Sequence, residues 1–120
     1  MSSQHYQDLA SAARTADHNV PLQNGDQKGM LLVVDVTAST TGTVTPRLQV
    51  EDAVGTWVTI WSAAAAFGAV NTYSYLLYPG ASGGNLTEVD GIPITGRCRL
   101  LFDHTDATSI TYSARMFFIP

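Results

Sequence analysis

From residue 29 onward, apolar and polar positions alternate in segment after segment. A period of two is the spacing of strands that turn one face to a core. Met30, Leu32, Val34 and Val36 alternate with Leu31, Val33, Asp35 and Thr37. The apolar start of this segment predicts burial on both faces, narrowing to one face at its end. Ser39-Thr40-Thr41-Gly42 reads as a turn. Residues 47–51 alternate again, with Leu48 and Val50 inward, and residues 52–55 turn the chain. Trp57-Val58-Thr59-Ile60-Trp61 is rich in β-branched and aromatic residues and suits a pleated surface. Regular alternation puts Trp57 and Trp61 on a shared face. Residues 63–69 are alanine-rich but too few for a stable helix, so they read as a connection with room for one turn.

The pattern resumes over residues 72–78, a strand with Tyr73 and Tyr75 on one face, ended by Pro79-Gly80. Residues 81–84 form a loop, and residues 86–94 hold one weak strand. Residues 97–102 place Cys98, Leu100 and Phe102 inward and Arg97 and Arg99 outward. Asp103-His104-Thr105-Asp106 turns into a last strand over residues 109–119. There Ile110, Tyr112, Ala114, Met116 and Phe118 share one face, with Phe117 and Ile119 on the other. Seven or eight short strands at regular spacing predict an all-β fold, an antiparallel β-sandwich of jelly-roll-like form. Helix is expected in under about a tenth of the residues.

Residues 1–28 differ in texture. Apolar residues are sparse, and Pro21, Asn24-Gly25 and Gly29 punctuate the end of the segment. Residues 9–13 could form a helical turn, but an extended N-terminal arm is preferred, with an edge strand over residues 12–18. The organisation expected is therefore an arm, 1–28, and a β-sandwich domain, 29–120. So few apolar side chains cannot offset the entropy of ordering an isolated arm. Strand addition to a neighbouring subunit is the expected means of holding it, with Tyr6, Leu9, Val20 and Leu22 entering pockets there.

Length and composition sharpen this picture. The chain has 120 residues, the size of one domain, and 13% are charged, about half the usual share. A surface partly covered by other protein needs fewer charges. The formal net charge of −4 argues against a nucleic-acid partner, which calls for a basic patch. Cys98 is the sole cysteine, which excludes an internal disulfide and a cysteine-based zinc site. The opening residues have neither a basic start nor an apolar stretch, so no secretory signal is read. The longest apolar run, residues 63–70, is too short to span a bilayer. A soluble protein made in the cytoplasm, with no membrane partner, is the expectation.

Candidate chemistry is sparse. Asp103, His104 and Asp106 share a turn, and Asp17-His18-Asn19 forms a second small cluster. A metal site needs three or four convergent ligands, and spacing does not bring the two clusters together. Asp side chains bonding their own turn account for the first cluster. Cys98 falls on an inward position, as a buried and inert thiol does. Neither a nucleophile elbow nor a phosphate loop is present. Asn85-Leu86-Thr87 is a glycosylation triplet only in form. No catalytic, metal or cofactor-binding residue is assigned, no cofactor is expected, and the chain reads as a non-enzyme. The aromatics Trp57, Trp61, Tyr73 and Tyr75 remain as candidate contacts for sugars or protein. Phe117 and Ile119 remain as candidate interface residues, because they would leave an apolar edge that needs covering.

Several segments carry a resemblance together. They are Ala13-Arg14-Thr15-Ala16, residues 29–38 (GMLLVVDVTA), Leu48-Gln49-Val50-Glu51-Asp52 with Gly55-Thr56-Trp57, and Ser109-Ile110-Thr111-Tyr112-Ser113-Ala114. The pattern resembles small virion proteins of tailed bacteriophages, of the capsid decoration (cement) type. That resemblance implies a β-sandwich on the capsid exterior, oligomers that are often trimers, an arm reaching a neighbour, and the major capsid protein as partner. It carries over no active-site residue. The alternative function is a carbohydrate- or receptor-binding β-sandwich module of a tail or fibre.

Overall fold

The computed structural model describes residues 6–94 and 96–120. Among these residues nine strands form and no helix does. They are β1 (Tyr6–Arg14), β2 (His18–Pro21), β3 (Gly29–Ser39), β4 (Val44–Glu51), β5 (Trp57–Ser62), β6 (Asn71–Leu77), β7 (Glu88–Asp90), β8 (Cys98–His104) and β9 (Ile110–Ile119). One sheet has five strands in the order β1-β9-β3-β6-β7, and the other has four in the order β2-β8-β4-β5. Pairing is antiparallel throughout except between β6 and β7.

The alternation read from the sequence governs which side chains face the core. Met30, Leu32, Val34 and Val36 of β3 are buried, as are Leu100 and Phe102 of β8 and Ile110, Tyr112, Ala114, Met116 and Phe118 of β9. Each fully buried side chain of this size contributes roughly 1.5–3 kcal/mol of transfer free energy. Aromatic rings join the two layers. Phe102 of the four-stranded sheet lies 5.5 Å from Tyr112 of the five-stranded sheet. Phe67, from the β5–β6 connection, lies 5.2 Å from Tyr112 and 6.2 Å from Phe102.

Two expectations need correction. The connection over residues 63–69 holds no helical turn: it bends at Ala64 and Ala65, and Phe67 and Val44 exchange backbone hydrogen bonds of 2.8 and 2.9 Å, which fix Phe67 beside β4. The expected arm is, from Tyr6 on, two strands of the molecule's own sheets: β1 pairs with β9, and β2 with β8. Main-chain hydrogen bonds hold what apolar side chains alone do not. A bulge interrupts β1 between Leu9 and Ala12, and the Arg14 guanidinium fills it, donating to the carbonyls of Ala10, Ala12 and Tyr112. Gln7 then ties the sheets together, donating to Pro21 O and accepting from Gln23 N. Residues 1–5 of the expected arm lie outside the described residues.

The opposite end of the layers is also closed by side chains. Trp61 Nε1 donates to Asp90 at 2.7 Å, and the backbone N–H groups of Ala64 and Ala65 donate to Glu88. At the start of β3, Gly29 is buried, and a Cβ there would strike the Tyr78 ring and stand 2.8 Å from Leu77 O. Gly29→Ala is therefore expected to destabilise the fold by roughly 1–3 kcal/mol, the usual cost of overpacking. Urea unfolding of the variant against the parent checks this.

Candidate interaction face

Because β9 places Met116 and Phe118 inward, Phe117 must point out of the five-stranded sheet. It is not at an edge, as the sequence suggested: β9 is an interior strand with β1 on one side and β3 on the other. Cross-strand registers line up one outward residue per strand, Tyr6 with Phe117, Phe117 with Leu31, Leu31 with Leu76, and Leu76 with Val89. An apolar row therefore crosses the whole sheet. Tyr6 and Phe117 are exposed, and Leu31, Leu76 and Val89 are half-buried. Ile119 follows Phe117 on the same face and is half-buried.

The adjoining row carries the charges. Asp8 stands opposite Arg115, and Arg115 opposite Val33. The guanidinium binds both Asp8 oxygens, at 2.6 and 2.8 Å, and lies over the Tyr6 ring at 4.2 Å. Those hydrogen bonds hold the Asp8 carboxyl below the usual carboxylate range. A further row brings Ser113, Asp35 and Thr72 together, with the Thr72 hydroxyl donating to Asp35 at 2.7 Å. Asp8, Val33, Asp35, Ser113, Arg115 and Phe117 border an open groove of about 450 Å³. The groove sets aromatic and apolar side chains beside the Asp8–Arg115 ion pair, while the Asp35 carboxylate accepts from the Thr72 hydroxyl.

The other outer face, on the four-stranded sheet, is polar. Trp57 is half-buried, with the Arg99 guanidinium 4.2 Å from the ring centre. Arg99 donates to Gln49, and Gln49 donates to Thr59. Trp61 does not share this face. A register shift opposite Leu48 and Gln49 inserts Ile60 as an extra residue, so Trp61 turns inward and is 6% exposed. Tyr75 is fully buried beside Trp61, and its hydroxyl donates to Ala65 O. Tyr73 is half-buried, packed on Phe67. Of the four aromatic candidates, Trp57 and Tyr73 retain surface. Among the candidates expected to enter a neighbour, Val20 is buried in the molecule's own core, and Leu9 and Leu22 pack against it.

Two clusters of titratable groups were not legible in the spacing. The β1–β2 corner brings Asp17 and His18 beside His104, joining the two clusters that sequence kept apart. Asp17 accepts from the His104 backbone N–H, and His104 Nε2 stands 2.9 Å from the Tyr112 hydroxyl. His104 Nδ1 is buried without a hydrogen-bond partner. Burial pushes His104 down, and burial with the Arg14 charge does the same to His18. Glu88 and Asp90, two apart on β7, form the second cluster. Burial and then the hydrogen bond to Asp90 push Glu88 up. Among the described residues no group of three or more His, Cys, Asp or Glu is placed to hold a metal ion. Cys98 is buried, and that burial pushes its thiol up to about 11. No described helix is long and apolar enough to cross a membrane. Comparison with protein-family models, with curated proteins and with solved structures finds no match to this chain.

Proposed function

We propose that this chain is a structural, non-catalytic subunit of a virion, a capsid decoration protein that seats the outer face of its five-stranded sheet on the major capsid protein. The apolar row of Tyr6, Phe117, Leu31, Leu76 and Val89 carries this reading. An outer sheet face exposed to water normally alternates to polar residues. Here the alternation fails along one continuous line, beside an arginine already neutralised by Asp8. Strand order lends further support. With β7 set aside, the orders β1-β9-β3-β6 and β2-β8-β4-β5 support a jelly-roll reading, an architecture common to viral capsid and lectin domains. In this reading the clamp is the sheet face, and β1 contributes Tyr6 and Asp8 to it as a strand. The location is the capsid exterior.

The experiment is a binding assay on shells assembled from the major capsid protein. Phe117→Asp is expected to weaken binding at least tenfold, because it buries a carboxylate in an apolar contact. Far-ultraviolet circular dichroism should remain that of the parent, since Phe117 is 38% exposed. Undiminished binding by the folded variant refutes the docking face. A glycan array tests the carbohydrate module, for which Trp57 is the surface tryptophan. Sugar binding lost in Trp57→Ala would favour that function instead.

A further inference from the structure

Between Asp52 and Glu88 the chain carries no Asp, Glu, Lys, Arg or His. This uncharged stretch contains β5, the terminal strand of the four-stranded sheet. It also contains four large exposed apolar residues: Val54, Val58, Ile60 and Val70. Terminal strands are ordinarily guarded by charge, proline, shortness or distortion, because their free backbone groups can pair with another chain. The other three terminal strands have such guards. β1 carries Asp8, Arg14 and a bulge, β2 is four residues long and ends in Pro21, and β7 is three residues long. β5 has only the irregularity at Ile60, and Trp57, Val58 and Thr59 before it pair regularly with Glu51, Val50 and Gln49.

We infer that the free edge of β5 pairs antiparallel with β5 of a second copy of this chain. Electrostatic matching selects that occupant. A two-fold contact sets a strand against its own copy, so a net charge on the strand would meet the same net charge, at a cost. β5 and its flanks are free of charge, so self-pairing meets no such cost. Centred on Thr59, the contact sets Val58 of each copy against Ile60 of the other. Thr59 meets its equivalent, a favourable cross-strand pair. The two four-stranded sheets become one continuous sheet, and the apolar faces of the five-stranded sheets remain free. This inference goes beyond the docking function and does not rest on it.

Sedimentation velocity on the full chain at about 100 µM tests the pairing, a concentration that reveals even weak dimers. The parent is expected to be a dimer. The double variants V58K/I60K and V58E/I60E should each be folded monomers, with the dimer constant weakened at least tenfold. Mixed in equal amounts, they should form a heterodimer through opposite charges. A monomeric parent overturns the inference, as does a trimer, or any oligomer that survives in both variants. If the variants lose their β-sheet circular dichroism, Thr59→Lys with Thr59→Glu provides the same charge-swap test. Phe117→Asp should leave the dimer intact, which separates this contact from shell docking.

Discussion

Phe67→Ala is expected to destabilise the fold by about 3–5 kcal/mol, the largest loss for any single truncation in the β5–β6 connection. Phe67 is fully buried although it lies outside every named strand. Its ring touches one aromatic in each sheet, Phe102 and Tyr112, and also Tyr73. Its backbone N–H and carbonyl both bond to Val44, so the main chain cannot easily shift to refill the space. A cavity bounded by rings that hold one another is slow to collapse, and unrelaxed cavities are the costly ones. Gly68 reinforces the constraint, because a Cβ there would come within 2.8 Å of Gly42 O. Urea unfolding at neutral pH measures the loss. Val70→Ala, at an exposed position on the same connection, should change stability by less than about 0.5 kcal/mol. Equal losses in the two variants would mean that Phe67 is not a core residue in solution.

Phe67 also shows where period-two reading stops. Strands buried on one face, such as β3, β8 and β9, announce themselves by alternation, and every inward residue read from them is buried. A lone aromatic in an alanine-rich connection has no period, so nothing marks it as the plug of the core. The same limit applies at Trp61. One inserted residue, Ile60, reverses the phase of everything after it, and a bulge leaves no trace in composition. β1 and β2 were hidden for another reason. They are held by hydrogen bonds to β9 and β8 and by Arg14 and Gln7, so hydrophobicity marks them weakly. On the candidate face, Phe117 was legible as an outward apolar residue. Its partners Leu31 and Leu76 were not, because the row exists only once register is fixed across five strands.

Acidification is expected to weaken the fold from about pH 6.5 downward, and His104→Gln is expected to flatten that decline. His104 is 9% exposed, with Nε2 bonded to Tyr112 and Nδ1 buried without a partner. The Tyr112 hydroxyl keeps its proton throughout, since burial pushes it up to about 12. Protonating His104 makes both ring nitrogens donors, and the second has no buried acceptor. Asp17 and Asp103 favour the charged ring, while Arg14 and His18 oppose it, and burial outweighs them all to lower the pKa. The unfolded chain, near the ordinary 6.5, thus binds more protons than the folded one. Stability from this group is complete above about pH 6.5 and is lost as pH falls. His18, also lowered, adds in the same direction. Glu88 acts oppositely: its raised pKa means that the folded state gains as pH falls toward 4.5. Asp8 and Asp106, both lowered, begin to cost stability only as pH approaches 3.8 and below. As pH falls below about 6.5 the histidines lower stability while Glu88 opposes them, so the difference between the parent and His104→Gln isolates the histidine share. Urea unfolding at fixed ionic strength from about pH 6.5 to about pH 5 measures the slope. His104→Gln should lower stability by about 1 kcal/mol at pH 8, through a poorer bond to Tyr112. It should then lose less than the parent on acidification, and His18→Gln added to it should lose less again. A slope unchanged by His104→Gln would place the acid response elsewhere in the molecule.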